Sequence, residues 1–249
     1  MTWGHQRQIY IISGIALIII VPIMVFLAVT LYEEPTCFDG KQNGTENGID
    51  CGGECQLVCR NSTVSIFTVW SRVFAGENGV SGSALLENKN TRAIAVDVPY
   101  KFSIFKGEIE LSSVEGLINI PPKKRIPLII EGLEKGVQEV DYHTLEIGEP
   151  REWVYEQGEK SPFLISQQVI EEKDGLPIVS ARVKNLTFDE VIQDSYFVVF
   201  VYDEFDTVIG QSTTYIKELK PEETKDIAFT WREKFDSEVI RFDVFELNK

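Results

Sequence analysis

The sequence contains few of the side chains that most often carry catalysis or bind metals. Its 249 residues include two histidines, His5 and His143, and no phosphate-binding glycine loop, G-x-G-x-x-G motif or G-x-S-x-G elbow. A Ser-His-Asp triad would need His143 as its base, but the surrounding DYHTLEI pattern indicates an exposed strand residue. We therefore predict that the protein is not an enzyme.

Positive charge is also scarce in this sequence. Lysine and arginine total 24 against 39 aspartates and glutamates, which gives a formal net charge of −15 at pH 7. Nucleic acids and anionic membrane surfaces are bound through basic patches, so this composition argues against both as partners. The acidic surplus favours solubility, and alternatively attraction to divalent cations or to a basic partner.

Charge is absent altogether from residues 9–32, IYIISGIALIIIVPIMVFLAVTLY. A helix of this length spans about 36 Å, which is enough to cross a hydrocarbon core of about 30 Å. We predict one transmembrane helix here, with residues 1–8 as a cytoplasmic tail that contains Arg7. Because positive charge stays in the cytoplasm, the C-terminal ectodomain is expected outside it. A cleaved signal peptide is the alternative, but no A-x-A site ends the apolar run.

All four cysteines lie in one glycine-rich segment, and they are Cys37, Cys51, Cys55 and Cys59. Glycine at this density is incompatible with a regular helix or strand, so residues 33–60 are predicted to form a small looped module held by cross-links. An even number of cysteines on the oxidising side of a membrane indicates two disulfides, whose pairing the spacing leaves open. A zinc site with four thiolates is the alternative, but the usual paired C-x2-C spacing is absent.

Acidic and amide side chains are interleaved with these cysteines. Asp39, Asn43, Glu46 and Asp50 are candidate ligands of a loose calcium cage, because hard cations bind clustered oxygens. The match to a twelve-residue calcium loop is poor, since Lys41 stands where an oxygen ligand belongs. The competing interpretation is that these residues shape tight turns. Calcium is the one cofactor that the sequence suggests.

The spacing of this segment, C-x-D-G-x-x-N-G-x-E-x-G-x-D-C-G-G-x-C, carries a resemblance. It resembles a cysteine-rich segment found repeatedly in bacterial surface proteins, often beside β-sandwich domains. The resemblance covers residues 37–59. It implies an extracellular spacer or attachment module and does not imply an enzyme.

The second part of the remaining chain repeats the first part. Residues 83–88 (SALLEN) align with residues 180–185 (SARVKN), and residues 100–105 (YKFSIF) align with residues 196–201 (YFVVFV). Both copies contain short segments of alternating apolar residues, and helical periodicity is absent. The sequence therefore predicts an all-β ectodomain that contains two copies of one domain.

The boundaries of the two copies follow from turn signals. A turn follows the first strand of each copy, at Glu77-Asn78-Gly79 and at Lys173-Asp174-Gly175, and the copies join near residues 155–161. Domains of this size with short, regularly spaced strands are typical of immunoglobulin-like folds. We predict two tandem immunoglobulin-like β-sandwiches, at residues 61–157 and 158–249.

The second copy resembles the FxLYD-type domains of bacterial envelope proteins. The residues that carry the resemblance are Val183-Lys184-Asn185, Phe197, Val199, Val201, Tyr202-Asp203 and Leu219-Lys220-Pro221. The resemblance is clearest over residues 163–247 and weaker over 64–154, where Phe105-Lys106-Gly107 replaces the Tyr-Asp pair. It implies that the asparagine supports a turn after a strand and that the Tyr-Asp pair ends a core strand. It implies no catalytic residues.

These features favour a single-pass membrane protein that acts as a scaffold or assembly protein through its β-domains. The predicted partners are the membrane, crossed once, and other envelope or surface proteins, with no nucleic acid. A surface adhesion or glycan-binding module is the alternative, because Trp70, Trp153 and Trp231 are candidates for an aromatic platform. That alternative requires exposed rings, whereas the apolar strands around Trp70 and Trp231 favour burial.

Overall fold

The computed structural model describes residues 3–76, 79–133, 136–137, 139–156 and 161–247. The chain divides into two compact units, Met1–Cys55 and Gln56–Lys249, and each is described by itself. The predicted boundary between residues 157 and 158 lies outside the described residues, as do Glu77 and Asn78 of the first predicted turn.

Helix α1 (Trp3–Leu31) occupies most of the first unit. Its most apolar 18-residue window has a mean hydropathy of 2.9, so it is long and apolar enough to cross a membrane. It begins before the predicted span because nothing in residues 3–8 opposes helical backbone. It ends close to Pro35, which disfavours helical backbone in the preceding residue. Residues 32–55 form turns and one isolated bridge between Gly48 and Cys51.

The first half of the second unit contains seven strands. They are β1 (Phe67–Gly76), β2 (Gly79–Glu87), β3 (Ala93–Lys106), β4 (Ile109–Ile120), β5 (Arg125–Ile130), β6 (Tyr142–Ile147) and β7 (Glu152–Tyr155). One sheet has the order β1-β2-β5, and the other has the order β4-β3-β6, with β7 paired to the beginning of β3. Their inner faces share a core that includes Leu86, Val98, Phe102, Ile104 and Ile120, all fully buried.

The second half contains six strands. They are β8 (Phe163–Lys173), β9 (Leu176–Asn185), β10 (Ile192–Tyr202), β11 (Val208–Leu219), β12 (Thr224–Thr230) and β13 (Arg241–Leu247). Their sheet orders are β12-β9-β8 and β11-β10-β13, all antiparallel. Apolar residues alternate along the strands, and their inward members form a separate core that includes Val183, Phe197, Val199, Val201 and Phe229.

The two halves have the same strand order. The first, second and fifth strands of each half form one sheet, and the fourth, third and sixth strands form the other. The internal repeat of the sequence is therefore matched by a repeat in strand pairing. The described residues are mostly β-strand, as predicted from the alternating pattern.

A buried asparagine occupies the same position in both halves, Asn88 after β2 and Asn185 at the end of β9. Each side-chain amide donates to two backbone carbonyls at 2.8–3.1 Å, and its oxygen accepts a backbone N–H two residues on. The acceptor carbonyls belong to Ala93 and Ile120 in the first half and to Glu190 and Leu219 in the second. The predicted role of Asn185 in supporting a turn agrees with these bonds.

The outer edge of β7 is covered by residues 56–58. Val58 N–H donates to the Trp153 carbonyl at 2.8 Å, and Tyr155 N–H donates to the Gln56 carbonyl at 2.7 Å. Arg60 extends this attachment by donating to the Arg151 carbonyl at 2.9 Å. A segment that the sequence assigned to the cysteine-rich module therefore adds to the edge of a sheet.

Candidate binding groove

The two halves of the second unit meet across one face of β10. Successive strand residues point to opposite faces, so Phe197, Val199 and Val201 face the core of the second half. Val198, Phe200 and Tyr202 face the other way and pack with partly buried residues of the first half, which include Trp70, Phe74 and Ile129. Both faces of β10 are thereby buried, which explains the continuous apolar character of its sequence.

Ring contacts and hydrogen bonds hold this junction together. Trp70 meets Phe200 edge to face, with ring centroids 4.7 Å apart. Gln211 donates its side-chain amide to Ser81 Oγ at 3.0 Å and accepts the hydroxyl of Ser83 at its oxygen. Aromatic pairs of this geometry contribute about 0.5–1.5 kcal/mol beyond their burial. The two halves are therefore joined by specific contacts and not by the chain alone.

The end of β10 carries the predicted Tyr-Asp pair. Tyr202 is the last residue of β10, and its neighbour Asp203 accepts the N–H groups of Phe205 and Thr207, both at 2.9 Å. The Arg241 guanidinium lies 3.7 Å from the centre of the Tyr202 ring. Burial, together with the nearby Asp243 carboxylate, raises the pKa of the Tyr202 hydroxyl. The pair therefore ends a core strand and shapes the next turn.

A groove of about 800 Å³ lies beside this junction. Its walls are residues 72–74 of β1, residues 207–211 at the start of β11, and residues 231–237, which connect β12 to β13. This volume lies within the range of pockets that bind small molecules, about 300–1,000 Å³. Both halves contribute to the groove, so it exists only where they are packed together.

The connecting segment 231–237 is held against β11 by its aromatic residues. The Trp231 indole N–H donates to the Gln211 carbonyl at 3.0 Å, and the Trp231 and Phe235 rings meet edge to face at 5.2 Å. Phe235 lies directly over Gly210, where even a methyl group would overlap its ring. The absence of a side chain at Gly210 therefore allows this wall of the groove to close onto the strand.

The charge of the groove differs from that of the whole chain. Its lining includes the cations Arg72, Arg232 and Lys234 and the anions Glu233 and Asp236. Cationic side chains outnumber anionic ones here, in a chain whose net charge is −15. The Lys234 ammonium lies 3.4 Å from a carboxylate of β8, but both side chains are about two-thirds exposed, so this pair contributes little to stability.

The four predicted disulfide cysteines are all cross-linked. Cys37 is bonded to Cys55, with their Cα atoms 5.6 Å apart. Cys51 and Cys59 are disulfide-bonded as well. The prediction of two disulfides is confirmed, and none of these residues offers a thiolate to zinc.

The three candidate carboxylates are engaged with the backbone or with Asn43, whereas the side-chain oxygen of Asn43 is buried and makes no hydrogen bond to the described residues. Asp39 accepts the Asn43 side-chain amide at 2.8 Å, and that bond is the main reason why its pKa is lowered. Asp50 accepts the Gly40 N–H at 3.0 Å, and Glu46 accepts the N–H groups of Asn43 and Asp50 at 3.3 Å. These bonds are those expected of residues that shape tight turns.

The described residues contain one group of three ligand atoms within 4.8 Å of one another, at Cys37, Glu46 and Cys55. The two cysteines of that group are bonded to each other. The carboxylates of Asp39, Glu46 and Asp50 are not gathered within that distance in the described part of the chain. Calcium binding stays a prediction that these contacts do not favour.

The three candidate tryptophans do not form a shared platform. Trp153 lies in the core of the first half with 2% of its surface exposed, and Trp70 and Trp231 are half-buried in separate ring contacts. A stacked pair that sequence reasoning missed lies on β10 and β11, where Tyr196 and Tyr215 have centroids 5.9 Å apart. The two tyrosines are direct partners across the hairpin, so the strand register is the signal that would have found them.

His143 lies in strand β6 as predicted, but it is half-buried where an exposed residue was expected. Its ring is half-buried and stacks on Phe102 at 5.3 Å, and its Nε2 lies 2.9 Å from the Ser71 hydroxyl. The alternation of β6 explains this, because His143 shares a face with Leu145 and Ile147. Burial lowers the pKa of His143, and the contact with Ser71 opposes the shift.

No protein-family model matches the chain, and comparison with curated proteins finds no match. The function is therefore argued from the groove and from the elements that position it.

Proposed function

We propose that this chain is a membrane-anchored, extracytoplasmic scaffold that binds another protein of the cell envelope and catalyses no reaction. The observation that supports it best is the groove at the junction of the two halves, which combines a volume of about 800 Å³ with the cationic side chains of Arg72, Arg232 and Lys234. Helix α1 supplies a segment suited to anchoring. The two disulfides fit an oxidising compartment outside the cytoplasm.

The proposed orientation places the N-terminus in the cytoplasm. Arg7 lies at the N-terminal side of the apolar run, and no basic cluster follows that run. Positive charge next to a span is retained in the cytoplasm, so the disulfide module and the strands would be exported. The cysteine-rich module then acts as a spacer between the membrane and the β-domains.

We also propose that the two halves are tandem immunoglobulin-like sandwiches of the FxLYD type. Their identical strand order, the equivalent Asn88 and Asn185, and the Tyr202-Asp203 turn support this assignment. The first half departs from the pattern at the hairpin between β3 and β4, which corresponds to the hairpin between β10 and β11 in the second half. There Gly107, with φ of 57°, makes the turn and donates its N–H to Asp141 at 2.7 Å.

A binding role fits the side chains of the groove better than a catalytic one. The lining residues that the structure describes include neither histidine nor cysteine, the side chains that most often act as general base or nucleophile near neutral pH. The cations and backbone groups that are present are suited to recognising a charged segment of another molecule.

The exposed tyrosine pair favours glycan binding as a second candidate function. Tyr215 is 60% exposed and stacks on Tyr196, so its ring offers an apolar surface against which a sugar can pack. This site lies on β10 and β11, away from the groove residues at the start of β11. A glycan role would therefore involve a different surface.

Site-specific photo-crosslinking in native membranes tests the scaffold role. A photo-reactive amino acid replaces Lys234 in the groove or, as the matched control, the exposed Lys217 on the same half. We expect reproducible adducts with an envelope protein from position 234 and markedly fewer from position 217. A chain that forms no protein adduct from position 234 would contradict the proposal.

A further inference from the structure

Two strands that line the groove are the outermost strands of their sheets. In the sheet orders β1-β2-β5 and β11-β10-β13, β1 and β11 each stand at one end. An outermost strand pairs on one side only, so its other side presents unpaired backbone N–H and carbonyl groups. Along the groove, β11 is partly covered because Trp231 donates to its Gln211 carbonyl, which leaves β1 as the strand that is open to further pairing.

The lining pattern indicates which side of each strand meets the groove. A strand that presents its face lines a cavity with alternate residues, because successive side chains point to opposite faces. The groove is instead lined by consecutive residues, 72–74 on β1 and 207–211 at β11. Consecutive residues line a cavity when the strand presents its edge.

The cations of the groove indicate the charge of an occupant. Arg72 is exposed, and among the described residues it makes no ion pair. Lys234 has one solvent-exposed partner, Glu172, which a ligand carboxylate can replace at small cost. Anionic groups are repelled by most of this acidic molecule, so these two cations mark a place where they are attracted.

We infer that the groove binds an extended, acidic peptide segment of the partner as an added β-strand. The inference deepens the proposed scaffold role and rests on it. Backbone hydrogen bonds to the open edge of β1 provide the affinity, and acidic side chains of the segment reach Arg72 and Lys234. The segment is bound where the two halves meet, so the partner recognises both halves together.

The aromatic residues argue against an acidic polysaccharide in the same place. Sugar rings pack against open aromatic faces. In this groove Trp231 and Phe235 are packed edge to face on each other, and Phe74 is partly buried in the junction. The described rings of the groove are all partly buried, whereas a strand edge and cations are offered, which favours a peptide.

Peptide binding to the full chain in detergent provides the test. The probe is a fluorescein-labelled ten-residue peptide in which glutamate and valine alternate, and fluorescence anisotropy reports its binding. We expect saturable binding that weakens as salt rises. A lysine-valine peptide of the same design should bind at least about tenfold more weakly, because it loses the attraction to the cations of the groove. A glutamate-valine peptide with alternate backbone nitrogens methylated should weaken by at least as much, because it loses the backbone hydrogen bonds of the added strand.

Two charge reversals locate the binding site. Arg72→Glu should weaken the affinity for the glutamate-valine peptide by about tenfold, the effect of about 1.4 kcal/mol of lost attraction. Lys217→Glu makes the same change in net charge on an exposed lysine outside the groove, and it should leave the affinity within about twofold. Thermal melting of both variants checks that they stay folded.

Several outcomes would overturn the inference. They are equal effects of the two reversals, unchanged binding of the methylated peptide, and tighter binding of oligogalacturonate than of the acidic peptide. If the photo-reactive residue at position 234 still crosslinks an envelope protein in any of these cases, the scaffold role stands and the strand-addition inference fails. If the peptide binds as expected but position 234 yields no adduct in membranes, the groove is a peptide site and the scaffold role fails.

Discussion

Asn185 shows how one side chain can satisfy several backbone groups at once. It is fully buried, and its amide binds the carbonyls of Glu190 and Leu219 while its oxygen accepts the Thr187 N–H. Asn185→Ala leaves these groups unpaired in the interior, and a loss of this kind costs about 1–3 kcal/mol. We expect the free energy of unfolding in urea to fall by about 3 kcal/mol.

The exposed Asn61 provides the control for this substitution, because Asn61→Ala removes an amide of the same size from a surface position. Its effect should stay within about 0.5 kcal/mol. Equal losses from Asn61→Ala and Asn185→Ala would show that the hydrogen bonds of Asn185 contribute nothing to stability.

His143 makes the stability of the first half depend on pH. Burial lowers its pKa below the ordinary value of 6.5, so the folded chain holds the imidazole proton less tightly than the unfolded chain does. The resulting stability is present above pH 6.5 and is lost as the pH falls through the lowered pKa. We expect the melting temperature of the wild type to drop more than that of His143→Gln between pH 7.5 and pH 5.

Comparing the wild type with His143→Gln separates the effect of His143 titration on the melting temperature from the effect of the many carboxylates. Carboxylates titrate in both proteins and affect both melting temperatures alike, whereas the imidazole titrates in the wild type alone. The nearby Arg72 also lowers the pKa of His143, so Arg72→Ala should reduce the difference slightly. Identical pH profiles for the wild type and His143→Gln would contradict the prediction.

At the scale of single elements, the internal repeat shows what the sequence predicts well. The aligned stretches 100–105 and 196–201 both lie in the third strand of their half. The aligned stretches 83–88 and 180–185 both end in an asparagine, and these asparagines make equivalent hydrogen bonds. These features depend on residues close together in the chain, so local spacing is enough to predict them.

Other features depend on residues that are distant in sequence and were not predictable. The groove joins residues 72–74 to residues 207–211 and 231–237, and no local pattern indicates that these stretches meet. The sequence contained no information on which side chains line a groove between the two halves. His143 is a different case, because it alternates with Leu145 and Ile147 and the local pattern therefore already indicated the inward face.

At the scale of the whole second unit, the junction couples the stabilities of the two halves. Trp70 belongs to the first half and Phe200 to the second, and their rings touch. In a double-mutant cycle, Trp70→Ala and Phe200→Ala should show an interaction energy of about 1 kcal/mol in urea unfolding. The expected sign is that the double variant loses less stability than the sum of the single losses.

A matched cycle pairs Phe200→Ala with Leu117→Ala. Leu117 lies on β4, in the sheet that does not pack on the second half, and it is 65% exposed. The losses of unfolding free energy caused by Phe200→Ala and Leu117→Ala should be additive. Additivity in the Trp70 cycle as well would show that the halves are neighbours without energetic coupling.

The pairing of residues 56–58 with β7 has a mechanical consequence. The hydrogen bonds of an antiparallel pair lie perpendicular to the strands. Cys59 is itself disulfide-bonded, so tension from the chain ahead of the cysteines reaches the strand behind residues 56–58 while the disulfides are intact. Once the disulfides are reduced, a pull along the strand would load both hydrogen bonds to β7 together and would be resisted in shear. The cross-links therefore shield this pairing from tension.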